Sequence, residues 1–282
     1  MSEFLDAVAS NPLLRYALVS GVLASVATGV IGTYVVVRRI TYIAGGIAHC
    51  VLAGLGAAYY FQIEWGWKWC DPMLGATVAA LLAALLIGWV SLKAKHREDT
   101  VIGAIWAIGT AVGVLFIKST RGFAPDLVSL LFGNILLVSQ RDLWLIAGLD
   151  AIVVALGLLF YNQFLAVCFD EEFSRLRGVW VEFYYLLLLC LTALTVVVLM
   201  KVVGVVMVIA LLTLPVAVGG APARTLWQMM LAAAVFSVLF TTVGLAAAYH
   251  ANWPAGATII VVAGIAYLLT AAVQGRVQRL RA

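Results

Sequence analysis

The chain has 282 residues, 65% of them hydrophobic and only 11% charged, with a formal net charge of +4 and a mean hydropathy of +1.11. Soluble domains run about 45–50% apolar and about 25% charged, so a soluble globular protein is excluded. The net charge is too small for its sign to matter more than its placement, and no nucleic-acid partner is expected.

Apolar stretches near the roughly 20 residues that cross a bilayer recur along the whole length, whereas the ten-residue alternating segments of a β-barrel do not. The expected fold class is therefore all-α: a polytopic membrane protein of eight to nine transmembrane helices forming a single domain over residues 1–282. The opening MSEFLDAVASNP is acidic and lacks the basic start and small-residue cleavage pattern of a signal peptide. Candidate spans follow at 13–37, 43–63, 73–92, 101–117, 143–161, 180–200, 202–220, 226–249 and 255–274. The stretch 124–138, APDLVSLLFGNILLV, is shorter and punctuated, as expected of a re-entrant or interfacial helix.

If the first span runs outside to inside, eleven of the 17 Lys and Arg fall in loops on one side and six on the other. The positive-inside rule then makes the 163–179 loop and the C-terminus cytoplasmic and puts the N-terminus outside.

Within these spans a few polar residues stand out. The second span reads YIAGGIAHCVLAGLG over 42–56, where His49 is either a satisfied interior histidine or a functional group at depth. Its neighbour Cys50 points about 100° away around the helix and reads as packing. Outside this span lie Glu64, Asp71 and His250. Trp65, Trp67 and Trp69 read first as an interfacial aromatic belt and second as a docking rim. Asp150 lies about eight residues into its span and should face the bundle interior, a cavity or a basic partner.

The cytoplasmic loop QFLAVCFDEEFSRLRG, 163–178, carries helix signals. Asp170 can cap, Glu171 and Glu172 follow, Arg175 and Arg177 close the last turn, and Gly178 stops it. Phe169, Phe173 and Leu176 then form an apolar stripe, suited either to the membrane surface or to a groove on a partner. Glu182 starts the next span as a dipole partner. In the span after it, Gly204 and Pro215 are gate or hinge candidates, and Gly219 and Gly220 serve close packing equally well. The four cysteines are scattered, without disulfide or zinc spacing.

Six segments in order resemble the integral-membrane permeases of bacterial ATP-binding-cassette importers for zinc, manganese and iron: VVVRRITYIAGGIAHCVLAG, REDTVIGAIWAIGTAVGVLF, LLFGNILLVSQRDL, FDEEFSRLRGV, KVVGVVMVIALLTLPVAV and NWPAGATI. The resemblance implies a transport subunit of the bacterial inner membrane rather than an enzyme. It would work as a homodimer with two cytoplasmic ATPase subunits docked on 163–178 and an external metal-binding protein. The chain has no GxxxxGK[ST] phosphate loop of its own. No permanently bound cofactor is expected, only a transported divalent metal.

In that family an aspartate typically precedes the histidine by one turn. Here His49 is kept, but the aspartate position is Gly45, beside Gly46; these two glycines could supply backbone carbonyls and join Gly204 and Pro215 as gate or hinge candidates. Asp150 is the candidate to supply the missing oxygen, with structural pairing as its alternative. Loss of the carboxylate favours zinc over manganese. Two rivals stay open: a secondary transporter coupled to protons through Asp150 and His49, and an importer of a metal chelate or organic cofactor.

Overall fold

The computed structural model describes residues 2–93, 98–121, 131, 133, 135, 138–205 and 207–281. Among the described residues every regular element is a helix, as an apolar solvent requires of a backbone that must satisfy its own hydrogen bonds. The short α1 (Ser2–Ser10) precedes a composite span of α2 (Pro12–Ala27), a π-helical segment (Thr28–Gly32) and α3 (Thr33–Arg38). Asn11 caps α2 by accepting the Leu13 amide, and Pro12 sits in its first turn, where its missing N–H costs nothing. Arg39 ends α3 in the left-handed region at φ +62°, the position glycine usually takes at a helix end.

Helices α4 (Thr41–Glu64), α5 (Pro72–Lys93), α6 (Glu98–Ser119) and α7 (Gln140–Leu159) follow. After them come α8 (Tyr161–Phe169), α9 (Glu171–Leu176), α10 (Val181–Val203), α11 (Val208–Gly220), α12 (Leu226–Ala251) and α13 (Ala255–Arg281). Among the described residues eight helices, the composite Pro12–Arg38 counted as one, are long and apolar enough to cross a membrane. The ninth expected span, 202–220, is not one helix. Residues 202 and 203 finish α10, and Gly204 breaks the chain at φ +83° and ψ 163°, a conformation open to glycine alone. What remains is α11, 13 residues long, or about 20 Å at 1.5 Å per residue. The expected helix at 124–138 lies almost wholly outside the described residues.

Helices α2 and α12 run antiparallel. Gly21 meets Thr241 and Gly29 meets Ala234, the Ser25 and Ser237 hydroxyls lie 3.0 Å apart, and Phe4 packs edge-on against Tyr249. Gly220 at the end of α11 approaches Met229 near the start of α12, and Gly244 of α12 approaches Ile259 of α13. The N-terminal helix therefore lies at the end of the bundle opposite Arg38, α9 and the close of α13. That is the relative arrangement expected from the basic residues, with α11 returning the chain to the Arg38 end.

Helix α4, which carries His49, packs deep in the bundle. It is clasped between α5 and α6 through glycines: a Cβ at Gly54 would strike the Gly75 backbone, and one at Gly56 would come within 2.6 Å of the Gly113 carbonyl oxygen. Small residues allow this approach where hydrocarbon solvent gives no hydrophobic drive for association.

Candidate functional site

The fourth helix presents His49, half-buried, against α6. Its Nδ1 lies 3.0 Å from Thr110 Oγ1. The imidazole stacks on the Trp106 ring with centroids 4.5 Å apart and planes 22° from parallel. Thr110 in turn donates its hydroxyl proton to the Trp106 carbonyl at 2.9 Å. Trp106 and Thr110 are one turn apart on α6, so one face of that helix grips the imidazole by its ring and by one nitrogen. Tyr42, at the Arg38 end of α4, also leans on Trp106, with centroids 5.8 Å apart and planes tilted 38°.

Gly45 shows why no carboxylate shares this face. A Cβ there would lie 2.8 Å from Ile209 Cδ1 and 2.9 Å from the Trp106 ring. The indole and the Ile209 side chain of α11 occupy the volume that a side chain at 45 would need. Gly46 is nearly as tight, with a Cβ 3.0 Å from Ile102 Cγ2. Cys50 turns away from His49: its thiol is 3.5 Å from the Ile105 carbonyl and packs over Gly109. Among the described residues, no three or more His, Cys, Asp or Glu side chains gather closely enough to hold a metal ion.

Asp150 is not brought to His49. It sits on α7, which packs against α2, the π segment and α10, whereas α4 packs against α5, α6 and α10. The carboxylate is 6% exposed and its Oδ1 has no partner. The oxygen that Gly45 lacks is therefore not supplied from Asp150 within one chain.

At the Arg38 end, residues 163–178 form two helices instead of one. Asp170 breaks them in extended conformation and caps α9 by accepting the Phe173 amide at 2.9 Å. Glu171 pairs with Arg38, whose guanidinium lies over the Tyr185 ring. Arg175 pairs with Glu182 of α10 at 2.7 Å, Arg177 stacks over Phe173, and Gly178 takes φ +76° to leave the helix. Glu172 faces solvent. These ties fix α9 to α3 and α10 while its apolar side chains stay outward: Phe173 is 53% and Leu176 87% exposed, and Phe169 at the end of α8 is 71% exposed. Behind them, burial pushes the Cys168 thiol up to about 12, with Arg38 pulling the other way.

Near the hinge candidates, Pro215 is buried within α11, and a Cβ at Gly219 would lie 2.8 Å from the Ala233 amide. Gly204 is the break itself. At the opposite end, Glu64 accepts the Arg121 amide at 2.7 Å, and Asp71 caps α5 through Met73 at 2.8 Å, so both carboxylates hold loops. Trp65, Trp67 and Trp69 cluster with Phe61: Trp67 and Trp69 stack, Trp65 meets Trp67 edge-on, and Phe61 leans on Trp65 and Trp67. Lys201 meets Asp142 at 3.2 Å, tying α10 to α7.

Sequence reasoning missed Trp106 and Thr110, although their i, i+4 spacing on an apolar span placed them on one face. It also missed the Arg38–Glu171 and Lys201–Asp142 pairs, which no local pattern announces.

A sequence model of the ABC 3 transport family matches residues 10–274. A probable metal transport system membrane protein of Chlamydia muridarum is 40% identical over 259 residues, 92% of this chain and 88% of the relative. The manganese transport system membrane protein MntC of Halalkalibacterium halodurans is 32% identical over 269 residues, 95% of this chain and 90% of that one. Among solved structures, PsaBC from Streptococcus pneumoniae in complex with Fab superposes with a TM-score of 0.84 at 29% identity, covering 95% of this chain and 94% of that chain.

Proposed function

The chain belongs to the ABC 3 transport family, a multi-pass membrane permease of a metal importer, and on that premise we propose the roles of its parts. Two copies line a pathway for a divalent metal ion, each contributing His49. A cytoplasmic ATPase grips α9 of each copy, and an external binding protein delivers the ion. One imidazole per chain falls short of the ligands of a closed site, but a two-fold axis doubles it. A pathway must also release its ion, so sparse coordination suits transport.

The observation that carries this reading is the outward apolar stripe of α9. Two large side chains, Phe173 and Leu176, stand in solvent on a six-residue helix that is ion-paired to two helices of the bundle, and Phe169 adds a third at the adjoining end of α8. A short helix in a groove is read through such anchors, and here the anchors sit on an element that can pass a push directly to α3 and α10.

Two observations bear on the cargo and pull apart. The manganese names of relatives such as MntC support manganese, whereas an imidazole without a nearby carboxylate supports zinc. Uptake of each ion, alone and in competition, by cells deleted for the chain and complemented with wild type or His49→Ala tests the reading. Loss of uptake with normal membrane insertion is expected for His49→Ala. Undiminished uptake would remove His49 from the pathway.

A further inference from the structure

The hydrogen bonds around His49 determine which of its nitrogens is available, and this inference rests on the pathway role proposed for that residue. A threonine hydroxyl has one proton to give. Thr110 gives it to the Trp106 carbonyl one turn back, at 2.9 Å. Toward His49, 3.0 Å away, Thr110 Oγ1 is left with lone pairs only. The arrangement that makes both contacts hydrogen bonds puts the proton of the second on His49 Nδ1. A neutral imidazole that carries its proton on Nδ1 has its lone pair on Nε2.

We propose that Thr110 is a positioning residue: it fixes the Nδ1–H tautomer of His49 and so presents Nε2 as an unprotonated donor to the passing cation. Trp106 completes the clamp. Its ring lies against one face of the imidazole, 4.5 Å between centroids, and turning the imidazole over would swap Nδ1 for a carbon and lose the Thr110 bond. Metal-binding histidines are commonly oriented by a partner on the other nitrogen, and losing such a partner costs about 10- to 100-fold in affinity. In hydrocarbon surroundings a hydroxyl whose own proton is already committed serves that purpose without a charge. The same device explains how the site works without a carboxylate at position 45: the face an aspartate would use is filled by the indole that holds the ring.

Ring-nitrogen NMR on the purified, reconstituted chain with ¹⁵N-histidine tests this. The chain has three histidines, and the His49 signal is identified by its loss in His49→Gln. In wild type, Nδ1 should be protonated and Nε2 bare. Zn²⁺ added alone should move the Nε2 resonance. Thr110→Ser, which keeps the hydroxyl, should preserve both results. Thr110→Val, similar in shape but unable to accept, should give mixed tautomers, about 10-fold or weaker Zn²⁺ binding and matching loss of uptake in cells. A wild-type spectrum with the proton on Nε2 overturns the assignment without recourse to any variant. Unchanged tautomer and Zn²⁺ binding in Thr110→Val overturn the role of Thr110. If those results follow expectation but His49→Ala transports normally, the tautomer assignment stands and the pathway role falls.

Discussion

His49 and Asp150 are both ionisable side chains within membrane-spanning helices, yet their surroundings differ in kind. His49 is half-buried, stacked on one ring face, bonded at one nitrogen, and has its other nitrogen to spare. Asp150 is enclosed between α7 and the α2–π segment, with an oxygen that no neighbour satisfies. A group that binds and releases cargo needs one end held and the other reachable, an arrangement His49 has and the enclosed Asp150 lacks. Depth in the membrane raises the odds that a polar residue is functional, but the pattern of its partners separates the two cases.

The largest effect that can break this contrast is at His49: His49→Ala should bring metal uptake to background while the protein still inserts and purifies with its ATPase. Next in size is the α9 stripe. Leu176→Asp and Phe173→Asp should abolish co-purification of the ATPase, because buried anchors of this kind carry about 2 kcal/mol or more each. Their expression should be unaffected, since both side chains already face solvent.

The third prediction sharpens the contrast within the His49 site. Gly45→Asp should cost about 1–3 kcal/mol by overpacking against Trp106 and Ile209, read as a fall in the melting temperature of the purified protein. Adding Trp106→Ala should restore part of that loss. If Gly45→Asp alone is as stable as wild type, the indole does not close the position. Asp150→Asn comes fourth, within about 1 kcal/mol of wild type and with uptake retained, because the amide keeps an acceptor oxygen and carries no charge to bury. A collapse of uptake there would promote Asp150 to the pathway. Smallest is a chemical distinction among the thiols. The Cys168 thiol, pushed up by burial to about 12, holds almost no thiolate at neutral pH and should resist maleimide while partly exposed Cys70 reacts.

Much of the fold was legible because lipid leaves few options. A run of about 20 apolar residues can only be a helix, so eight spans were found within a few residues of their observed bounds. The boundary that failed, 202–220, failed where hydropathy is uninformative. The apolar run continues unbroken through Gly204, and only the backbone geometry there ends one helix and starts another. The 163–178 segment was legible as helix with an exposed stripe because caps and charges are local signals. Its break at Asp170 was not, because the same aspartate that caps α9 also ends α8.

The candidate site divides along the same line. His49 stood out as the one imidazole in a hydrocarbon run, and Gly45 as the place where a carboxylate was missing. Neither the reason for the glycine nor the partner of the histidine was visible, since Trp106 and Thr110 lie about sixty residues away and join the site only when α6 crosses α4 through its glycines.

By itself, then, the sequence determined the solvent, the helical class, most of the spans and the amphipathic 163–178 segment, all of which follow from local composition and short-range spacing. Tertiary structure alone decided which nitrogen of His49 is held, that Asp150 lies apart from it, and that Arg38 ties α9 to the bundle. Those are contacts between helices remote in sequence, set by which small residues let two backbones meet.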